Sequence, residues 1–315
     1  MGDVVSCATL VIGGGGFIGA CLVAMLISSG RRVTVLGRSA APRPTLHVQA
    51  EYVAGDFGCA EVIRPLLVAH PEVVHLAYAT VPKTSYDNPL GDLLENLPST
   101  VQLFALAAEF GLRLVHVSSG GTVYGEAAIL PITEDHATHP ISPYGVTKLT
   151  LEKYAHLYAV TRGLDVVCLR PANAYGEGQR PFTGQGFIAT AMASALRNDP
   201  VRIFGTSGAI RDYIHVHDIA SGVMAALDRG ETGSIYNLGS GIGRSNLDVV
   251  EAMVPLLQEM GRVVRTVHES ERPFDVRANV LDSGRLVGHT GWKPVVGFEE
   301  GLLRTRDWLI GHHHD

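Results

Sequence analysis

The sequence predicts an α/β fold: an open, doubly wound parallel sheet in the first two-thirds of the chain, followed by a smaller mixed α/β lobe. Two observations predict it. Short apolar runs alternate with longer amphipathic segments, and a glycine-rich turn follows the first apolar run. Near-continuous apolar runs are typical of strands that are buried on both faces. Alternation of such strands with helices implies right-handed crossovers, and therefore a parallel sheet.

The order of the predicted elements divides the chain into two parts. The predicted strands are Cys7 to Ile12, Arg32 to Leu36, Glu51 to Ala54, Val73 to Leu76, Leu112 to Ser118 and Leu164 to Arg170. The predicted helices are Gly16 to Ser29, Pro98 to Phe110, Pro143 to Arg162, Gly186 to Arg197, His217 to Asp228 and Ser245 to Met260. The regular alternation ends after Arg170. We therefore predict a sheet domain over residues 1–170, to which residues 212–245 return, and a lobe formed by residues 171–211 and 246–315.

Composition and charge argue against several classes of protein. Hydrophobic residues make up 46% and charged residues 18% of the 315, which is typical of an ordered globular protein. The net charge of −6 argues against nucleic acid as the main partner, because that partner requires a basic surface. The cysteines have no metal or redox spacing, which is typical of reduced thiols in a cytoplasmic protein. We expect neither a signal peptide nor a membrane span, since no apolar run approaches ~20 residues.

The first predicted strand leads into the segment Gly13-Gly-Gly-Gly16-Phe-Ile-Gly19. Gly13 permits a tight turn, Gly16 lets the backbone approach a pyrophosphate, and Gly19 allows the helix to pack closely on the strand. The phosphates would lie at the helix N-terminus, where free N–H groups and the helix dipole favour negative charge. At the first strand–helix junction this spacing predicts a dinucleotide site in a Rossmann-type domain. Phe17 and Ile18 are further candidate cofactor-binding residues.

The second predicted strand ends in Gly37-Arg38, where dinucleotide-binding folds usually carry an acid that binds the ribose hydroxyls. Arg38 could pair with a 2′-phosphate or stack on the adenine, or it could be an exposed loop arginine. The local sequence therefore leaves NAD and NADP both open. Asp56 is placed to accept a hydrogen bond from the adenine amino group, or it is a simple turn aspartate. The candidate cofactor site also includes Phe57, Leu76 and Ala77.

The segment Ser142-Pro143-Tyr144-Gly-Val-Thr-Lys148 predicts the chemistry. Pro143 suits the first turn of a helix, so Tyr144 and Lys148 share one helix face at i and i+4. A tyrosine with a pKa of ~10 is a poor base at neutral pH. A nearby lysine and an oxidised nicotinamide would stabilise the phenolate and lower that pKa. Tyr144 could then remove a hydroxyl proton as hydride leaves the same carbon. The alternative is an ordinary pair on a surface helix.

The glycine turn and the Tyr144/Lys148 pair resemble the extended short-chain dehydrogenase/reductase family. Within that family the sequence is most similar to UDP-sugar 4-epimerases of the UDP-galactose 4-epimerase and O-antigen type. The similar segments also include Ser118-Ser-Gly-Gly-Thr-Val-Tyr-Gly125, Leu169-Arg-Pro-Ala-Asn173, Arg211-Asp-Tyr-Ile-His215 and Gly291-Trp-Lys-Pro294. The resemblance runs nearly end to end. It implies NAD as the cofactor, a UDP-linked sugar as the substrate, and a homodimer through a four-helix face that includes the Tyr144 helix.

The resemblance also implies a hydroxyl that binds the reacting sugar oxygen, at the third residue of the loop after the fifth strand. That residue is Gly120 in this sequence. We expect Thr122, in preference to Ser119, to supply the hydroxyl instead. Water could replace it, or Tyr144 could be the sole proton carrier. Ser119 could also pack in the core or cap a turn.

For the sugar nucleotide, the resemblance implies that Asn173 lies near the pyrophosphate or the uracil. Arg211 and Arg272 correspond to arginines that clamp the diphosphate, which two guanidinium groups can neutralise by bidentate hydrogen bonds. A structural ion pair with neighbouring Asp212 is the alternative for Arg211. Asn279 stands where the galactose enzymes often have a bulky aromatic, so it would leave room for an N-acetyl group.

Four further sites complete the prediction. Thr80 is a candidate substrate contact. Arg180 and Arg277 could bind the carboxylate of a uronic sugar, or they could be surface arginines. The cluster His215-Val-His217-Asp218 looks like a set of metal ligands, but it matches the family's metal-free strand-to-helix connection. We therefore expect no metal, and we predict Asp218 as the N-cap of the following helix.

The leading interpretation is a nucleotide-sugar 4-epimerase that oxidises C4 transiently with bound NAD. The alternative within the same fold is an NADPH-dependent 4-keto-sugar reductase, which the Gly37-Arg38 and Gly120 departures both favour. A 4,6-dehydratase is less favoured, because that group carries an acidic pair where Gly120 and Gly121 stand. A binding protein without catalysis is disfavoured by the intact Tyr144 and Lys148.

Overall fold

The computed structural model describes residues 7–270 and 276–312. The strands, numbered β1 to β13 in chain order, are Ala8–Ile12, Arg32–Gly37, Glu51–Ala54, Glu72–His75, Arg113–Val117, Asp165–Pro171, Asn173–Tyr175, Val201–Phe204, Ile210–His215, Ile235–Leu238, Gly243–Arg244, Thr266–Glu269 and Ala278–Asn279. The helices, α1 to α10, are Phe17–Ser28, Ala60–Ala69, Pro82–Asp87, Pro89–Phe110, Pro143–Arg162, Phe187–Leu196, Val216–Arg229, Asn246–Gln258, Gly284–Thr290 and Phe298–Gly311.

Seven strands form one parallel sheet in the order β10-β6-β5-β4-β1-β2-β3. The chain order reverses between β1 and β4, so their carboxyl ends, at Ile12 and His75, lie side by side. A crevice outside the carboxyl ends at such a switch point is where α/β sheets bind ligands. The predicted doubly wound fold is confirmed, and each of the six predicted strands is present within one or two residues of its predicted bounds.

The strands of this sheet are buried because helices cover both of its faces. All five residues of β1 are buried, and the two apolar clusters on either side of the sheet take in Val11 and Leu10 respectively. Each fully buried aliphatic side chain contributes ~1.5–3 kcal/mol relative to an exposed one. The sheet is therefore a rigid base for the loops at its carboxyl edge.

The helix predicted from Pro98 was wrong at its start, because α4 begins at Pro89 and contains Pro98 in its interior. The Asn88 side chain accepts a hydrogen bond from the Gly91 N–H at 2.9 Å and so caps the helix. Pro89 then occupies the first turn, where a missing N–H costs nothing. The longer helix brings the buried residue Asp92 against α5.

The second part of the structure is a small mixed lobe. β9 pairs with β7, β11 and β13, while β8 pairs with β12. Helices α6, α8 and α10 pack over these strands around a separate apolar cluster that includes Met192, Met253 and Leu302. β10 lies at the edge of the main sheet beside β6, so residues 235–238 are part of that sheet. The exact boundary between the two parts stays a prediction.

The first turn of α7 differs from its prediction. The N-cap is His215, whose side chain accepts a hydrogen bond from the His217 N–H at 3.2 Å. Asp218 lies inside the first turn, and its carboxylate accepts hydrogen bonds from the N–H groups of Val295 and Val296, both at 3.0 Å. The predicted N-cap role of Asp218 was therefore wrong, because this buried side chain joins α7 to a distant loop.

Within the residues that the structure describes, no helix combines the length and apolar character required to span a membrane.

Candidate active site

The glycine turn between β1 and α1 is built so that no side chain fits at two of its positions. Gly13 has a φ of +85°, and a Cβ there would lie 2.8 Å from the backbone nitrogen of Ala77. A Cβ on Gly19 would lie 2.6 Å from the carbonyl oxygen of Gly13. Gly16 is the N-cap of α1, and Phe17 and Ile18 open the helix. The turn therefore exposes backbone N–H groups at a helix N-terminus, as an anion requires.

At the end of β2, the hydroxyl of Tyr52 lies against Gly37. A Cβ on Gly37 would lie 2.9 Å from the hydroxyl oxygen of Tyr52, and that hydroxyl donates to the carbonyl of Ser39 at 2.7 Å. Tyr52 therefore fills the space that a side chain at position 37 would need. Arg38 is exposed on the loop that follows.

Other candidate cofactor residues lie along the same edge of the sheet. Asp56 accepts a hydrogen bond from the Gly58 N–H at 2.8 Å, so one carboxylate oxygen makes a local turn. The ring of Phe57 lies 5.0 Å from that of His75, the last residue of β4. The N–H groups of Leu76 and Ala77 both donate to the carbonyl of Ile12, which holds the end of β4 against the end of β1.

The candidate catalytic pair lies at the start of α5. The Ser142 hydroxyl caps this helix by accepting from the Gly145 N–H at 3.1 Å, and Pro143 occupies the first turn. Tyr144 and Lys148 lie one turn apart, as predicted. The ammonium of Lys148 donates to the carbonyl of Val117 at 2.9 Å and lies 5.7 Å from the centre of the Tyr144 ring. The pair therefore lies at the carboxyl end of β5.

Burial governs the electrostatics of the pair. Burial lowers the pKa of Lys148 to about 7, against the raising effect of the carboxylates of Glu152 and Asp92. Burial raises the pKa of Tyr144 above its usual value; a hydrogen bond from the Ser119 side chain lowers it and the negative charge of Asp92 raises it. The protein alone therefore holds Tyr144 as a neutral phenol, and the predicted lowering of its pKa requires further positive charge.

The loop after β5 shows why a glycine stands at position 120. A Cβ at this position would lie 2.4 Å from Leu281 Cδ1 and 2.8 Å from the carbonyl oxygen of Arg170, so a serine has no room. The hydroxyl group that lowers the pKa of Tyr144 is that of Ser119. The Oγ1 atom of Thr122 is buried without a hydrogen-bond partner among the described residues. The structure thus favours Ser119, against the preference for Thr122.

A buried ion pair fixes the far side of the catalytic helix. Arg170 of β6 and Glu152 of α5 are in contact at 2.6 Å, with side chains only 3% and 0% exposed. The Ser118 hydroxyl donates to the same carboxylate, and the Tyr124 hydroxyl accepts from Arg170 at 2.8 Å. Removing one partner of such a pair costs ~3–5 kcal/mol, because the other charge stays buried and unpaired. This network holds α5 in place against the sheet.

The predicted sugar-nucleotide residues come from several strands of the small lobe. Asn173 lies on β7, and Arg211, which is partly exposed, lies on β9 directly beside Asn279 of β13. Asn279 donates to the carbonyl of Gly120 at 3.0 Å, and its buried Oδ1 has no hydrogen-bond partner among the described residues. Arg272 lies outside the described residues. The lobe thus brings Arg211 and Asn279 to the loop that carries Ser119.

The remaining candidate residues for the sugar nucleotide make contacts within the protein. The hydroxyl of Thr80 donates to the carboxylate of Asp92. Arg277 pairs with Glu126 at 2.8 Å and its side chain is 87% exposed, as expected for a surface arginine. The carboxylate of Asp212 accepts from the Ser240 and Leu281 N–H groups, at 2.9 and 3.2 Å.

The position of Arg180 is at the surface. In the described part of the chain, no group of three His, Cys, Asp or Glu side chains is arranged to hold a metal ion. His215 instead contacts the carboxylate of Glu177 at 2.9 Å.

Sequence reasoning missed two residues of this site, Tyr78 and Asp92. Tyr78 follows β4, and its ring lies 4.8 Å from that of Tyr144. Asp92 is fully buried on α4. The one available signal was the position of Tyr78, directly after the strand end that carries Leu76 and Ala77.

Comparison with known proteins identifies the family. A model of the NAD dependent epimerase/dehydratase family matches residues 9–239. A UDP-glucose 4-epimerase from Mycolicibacterium smegmatis is 33% identical over 309 residues, which cover 96% of this chain and 98% of that protein. A dTDP-4-dehydro-6-deoxyglucose reductase from Escherichia coli is 30% identical over 306 residues, covering 93% and 94%.

A solved structure gives the same result. The crystal structure of the Thermus thermophilus UDP-glucose 4-epimerase, a complex with NAD, matches with a TM-score of 0.88 at 31% identity, over 97% of this chain and 99% of that one. The family resemblance seen in the sequence is confirmed, and with it the expected NAD-dependent class. The chain belongs to the NAD dependent epimerase/dehydratase family.

Proposed function

We propose that this protein is a nucleotide-sugar 4-epimerase that uses bound NAD to invert C4 of a UDP-hexose. The observation that carries the proposal is the meeting of Tyr144, Lys148 and Ser119 at the carboxyl end of β5. The glycine turn lies at the same edge of the sheet, where Gly13 packs against Ala77. A dinucleotide bound at the turn could therefore reach the pair.

The residues fit a dinucleotide because the turn ends at the N-terminus of α1, where Gly16 is the N-cap, and because a Cβ on Gly15 would meet no atom of the described residues within 4 Å apart from its chain neighbours. NAD, when bound, would accept a hydride from C4 of the sugar and return it. Tyr144 would take the proton of the C4 hydroxyl, with Ser119 holding that oxygen and the phenol together. The ammonium of Lys148 would stabilise the phenolate, adding to the positive charge of the nicotinamide. The 4-keto sugar would then rotate within the pocket, so that it is reduced on its opposite face.

On the sugar-nucleotide side, we propose that Arg211 and Arg272 bind the diphosphate and Asn173 lies beside it. Binding energy remote from C4 would hold the nucleotide while the sugar turns. Asn279 would face the C2 substituent, with its unpartnered Oδ1 as a hydrogen-bond acceptor. This arrangement suits UDP-glucose and UDP-galactose as well as their N-acetyl or uronic derivatives.

One observation favours a second candidate, an NADPH-dependent 4-keto-sugar reductase. Tyr52 occupies the space where an acid at position 37 would discriminate against a 2′-phosphate, and Arg38 is exposed beside it. A reductase that acts on a dTDP-4-keto sugar is also among the relatives.

The test is turnover of a panel of UDP-hexoses with NAD at less than one equivalent per substrate. We expect conversion to the C4 epimer with no net change in the absorbance of reduced cofactor at 340 nm. Stoichiometric consumption of NADPH with a 4-keto sugar would establish the reductase instead. Binding without turnover, unchanged in Tyr144→Phe, would contradict both.

We also propose that the protein is a cytoplasmic homodimer. Helices α4 and α5 pack side by side and expose apolar side chains, namely Leu90, Leu94, Val146, Leu157 and Val160. A second copy of this face would bury them in a four-helix contact, as the resemblance implies. Light scattering should give a dimer for the wild type and a monomer for Leu157→Glu/Val160→Glu; a wild-type monomer would contradict the proposal.

A further inference from the structure

A buried carboxylate lies next to the catalytic pair without an ion-pair partner among the described residues. Asp92 of α4 is 0% exposed. It accepts hydrogen bonds from three hydroxyl groups, those of Thr147 at 2.7 Å, Tyr78 at 3.3 Å and Thr80. Burying a charge that only neutral groups bind is costly unless a nearby opposite charge compensates it. The side chain that supplies such a charge here is Lys148, since Asp92 acts on its ammonium electrostatically.

Tyr78 joins this carboxylate to both members of the catalytic pair. The ammonium of Lys148 lies 4.1 Å from the centre of the Tyr78 ring, well within the range of a cation–π contact. The same ring makes an edge-to-face contact with Tyr144, with 4.8 Å between the ring centres. The hydroxyl of Tyr78, at the far end of the ring, is bound to Asp92. One side chain thus touches Lys148, Tyr144 and Asp92.

We propose that Tyr78 and Asp92 are positioning residues for the proton transfer: the ring of Tyr78 fixes the ammonium of Lys148, and the buried carboxylate of Asp92, bound to the Tyr78 hydroxyl, supplies the compensating negative charge. The inference rests on the proposed function of the Tyr144/Lys148 pair. Thr80 and Thr147 hold the carboxylate in place from the loop after β4 and from α5. Thr80, predicted as a substrate contact, therefore acts through Asp92.

Several other groups face Lys148 and set its protonation. Burial opposes the charged form of Lys148, and the carboxylate of Glu152 on the same helix favours it, as that of Asp92 does. Cys168 of β6 is an uncharged thiol, because burial raises its pKa. His75 of β4 and His116 of β5 are neutral, because burial and the charge of Lys148 lower their pKa values. The carboxylate of Glu152 is already paired with Arg170. Among the described residues, the carboxylate that compensates Lys148 without being paired with another cation is therefore that of Asp92.

The substitution Asp92→Asn separates a charge effect from a structural one. Removing the negative charge lowers the pKa of Lys148 and also that of Tyr144, because Asp92 raises both. The working form requires a protonated lysine and a phenolate. Both limbs of the pH profile of kcat should then move to lower pH. The expected shift is about one pH unit, the size expected when one nearby charge is removed. A loss of packing alone would lower kcat without moving the profile.

The composition of the chain permits a direct measurement without substrate. The protein has four lysines, and Lys83, Lys153 and Lys293 are exposed. With ¹³C-labelled lysine, the Cε resonance of Lys148 should titrate far below the other three, which serve as internal references. Lys148→Met identifies the resonance by its loss. Asp218→Asn is the matched control, since Asp218 is equally buried but bonds to Val295 and Val296.

We expect Asp92→Asn to lower the titration midpoint of Lys148 by about one pH unit and Asp218→Asn to leave it unchanged. An unchanged midpoint in Asp92→Asn would overturn the role of its charge. If Asp92→Asn does not fold, two variants at Tyr78 decide the matter. Tyr78→Phe keeps the ring and should retain about tenfold more kcat than Tyr78→Leu, at similar KM; equal losses in both would overturn the role of the ring.

These results are distinguishable from a failure of the proposed function. A lowered Lys148 midpoint in a protein that epimerises nothing would refute the function and leave the charge relation intact. Epimerisation with a Lys148 midpoint that ignores Asp92 would refute the inference alone.

Discussion

The cofactor side and the sugar-nucleotide side of the cleft are constructed in different ways. On the cofactor side, backbone geometry determines the site: Gly13 and Gly19 leave no space for a side chain, and the pair on α5 is fixed by helical spacing. On the sugar-nucleotide side, the candidate residues are side chains carried by strands of the small lobe, such as Arg211 of β9. A site formed by backbone is rigid, and its residues are close together in the sequence. A site formed by side chains from several strands is more flexible, and its residues are far apart in the sequence.

The two sides also differ in the contacts that hold their side chains in place. The catalytic helix is held by the buried pair of Glu152 and Arg170 and by Asp92. Arg211 is partly exposed and hydrogen-bonds the carbonyl of Ile210 at 2.9 Å. We therefore expect substitutions on the cofactor side to change kcat, and substitutions on the sugar-nucleotide side to change KM.

The largest expected effect is that of Tyr144→Phe. Loss of the group that carries the proton should lower kcat for epimerisation by about 10²–10⁴-fold, with NAD binding retained. Tyr154→Phe, on the outer face of the same helix, is the matched control and should not change kcat. Undiminished epimerisation by Tyr144→Phe would remove this tyrosine from the mechanism.

A smaller effect of a different kind is expected for Arg211→Ala. Loss of a charge-assisted hydrogen bond of ~1.5–3 kcal/mol should raise KM for the UDP-sugar roughly 10- to 100-fold, with a lesser change in kcat. Arg277→Ala removes an exposed arginine that pairs with Glu126 and serves as the control. If Arg211→Ala lowered kcat and left KM alone, the division between the two sides would be wrong.

The loop after β5 tests whether Gly120 is a lost hydroxyl or a packing requirement. Gly120→Ser should destabilise the protein by ~1–3 kcal/mol and raise no activity, because its Cβ would press on Leu281 and on the Arg170 carbonyl. Ser119→Ala should instead lower kcat and leave the melting temperature nearly unchanged. Higher activity in Gly120→Ser at unchanged stability would restore the interpretation of a missing hydroxyl.

The smallest predicted effect concerns a histidine pair beneath the cofactor side. The Nδ1 atoms of His75 and His116 lie 3.0 Å apart, and burial lowers the pKa of His75 to about 3. The unfolded chain would take up protons near pH 6.5 and the folded protein would not, so stability is complete above that pH and is lost as the pH falls. The loss from His75 should be about 2 kcal/mol at pH 5.

Melting temperatures measured from pH 7.5 to 5 test this expectation. His75→Leu/His116→Phe should flatten the pH dependence, whereas His268→Gln, an exposed control, should keep it. An equally steep loss of stability in the double variant would exclude the histidine pair as its cause.

The same contrast explains how far sequence reasoning reached. The sheet, the glycine turn and the Tyr144/Lys148 spacing are local patterns, and all were predicted. The predicted helix began at Pro98, whereas α4 begins at Pro89 after the Asn88 cap. Local pattern therefore identified the elements better than their ends.

Contacts between distant segments could not be predicted. Gly120 is constrained by Leu281, and Asp92 reaches Lys148 through Tyr78, but no spacing rule joins these positions. The choice between Thr122 and Ser119 is of the same kind, since only the folded loop shows that the Ser119 side chain lies where it lowers the pKa of Tyr144.

The central claim is that one hydride leaves C4 and returns to the same carbon inside the site. A UDP-hexose labelled with deuterium at C4, incubated with the protein and substoichiometric NAD, tests it directly. We predict that the epimer keeps its deuterium at C4 with inverted configuration and that none enters water or free cofactor. Loss of the label to solvent, or epimerisation that proceeds with the label at another carbon, would contradict the proposed mechanism.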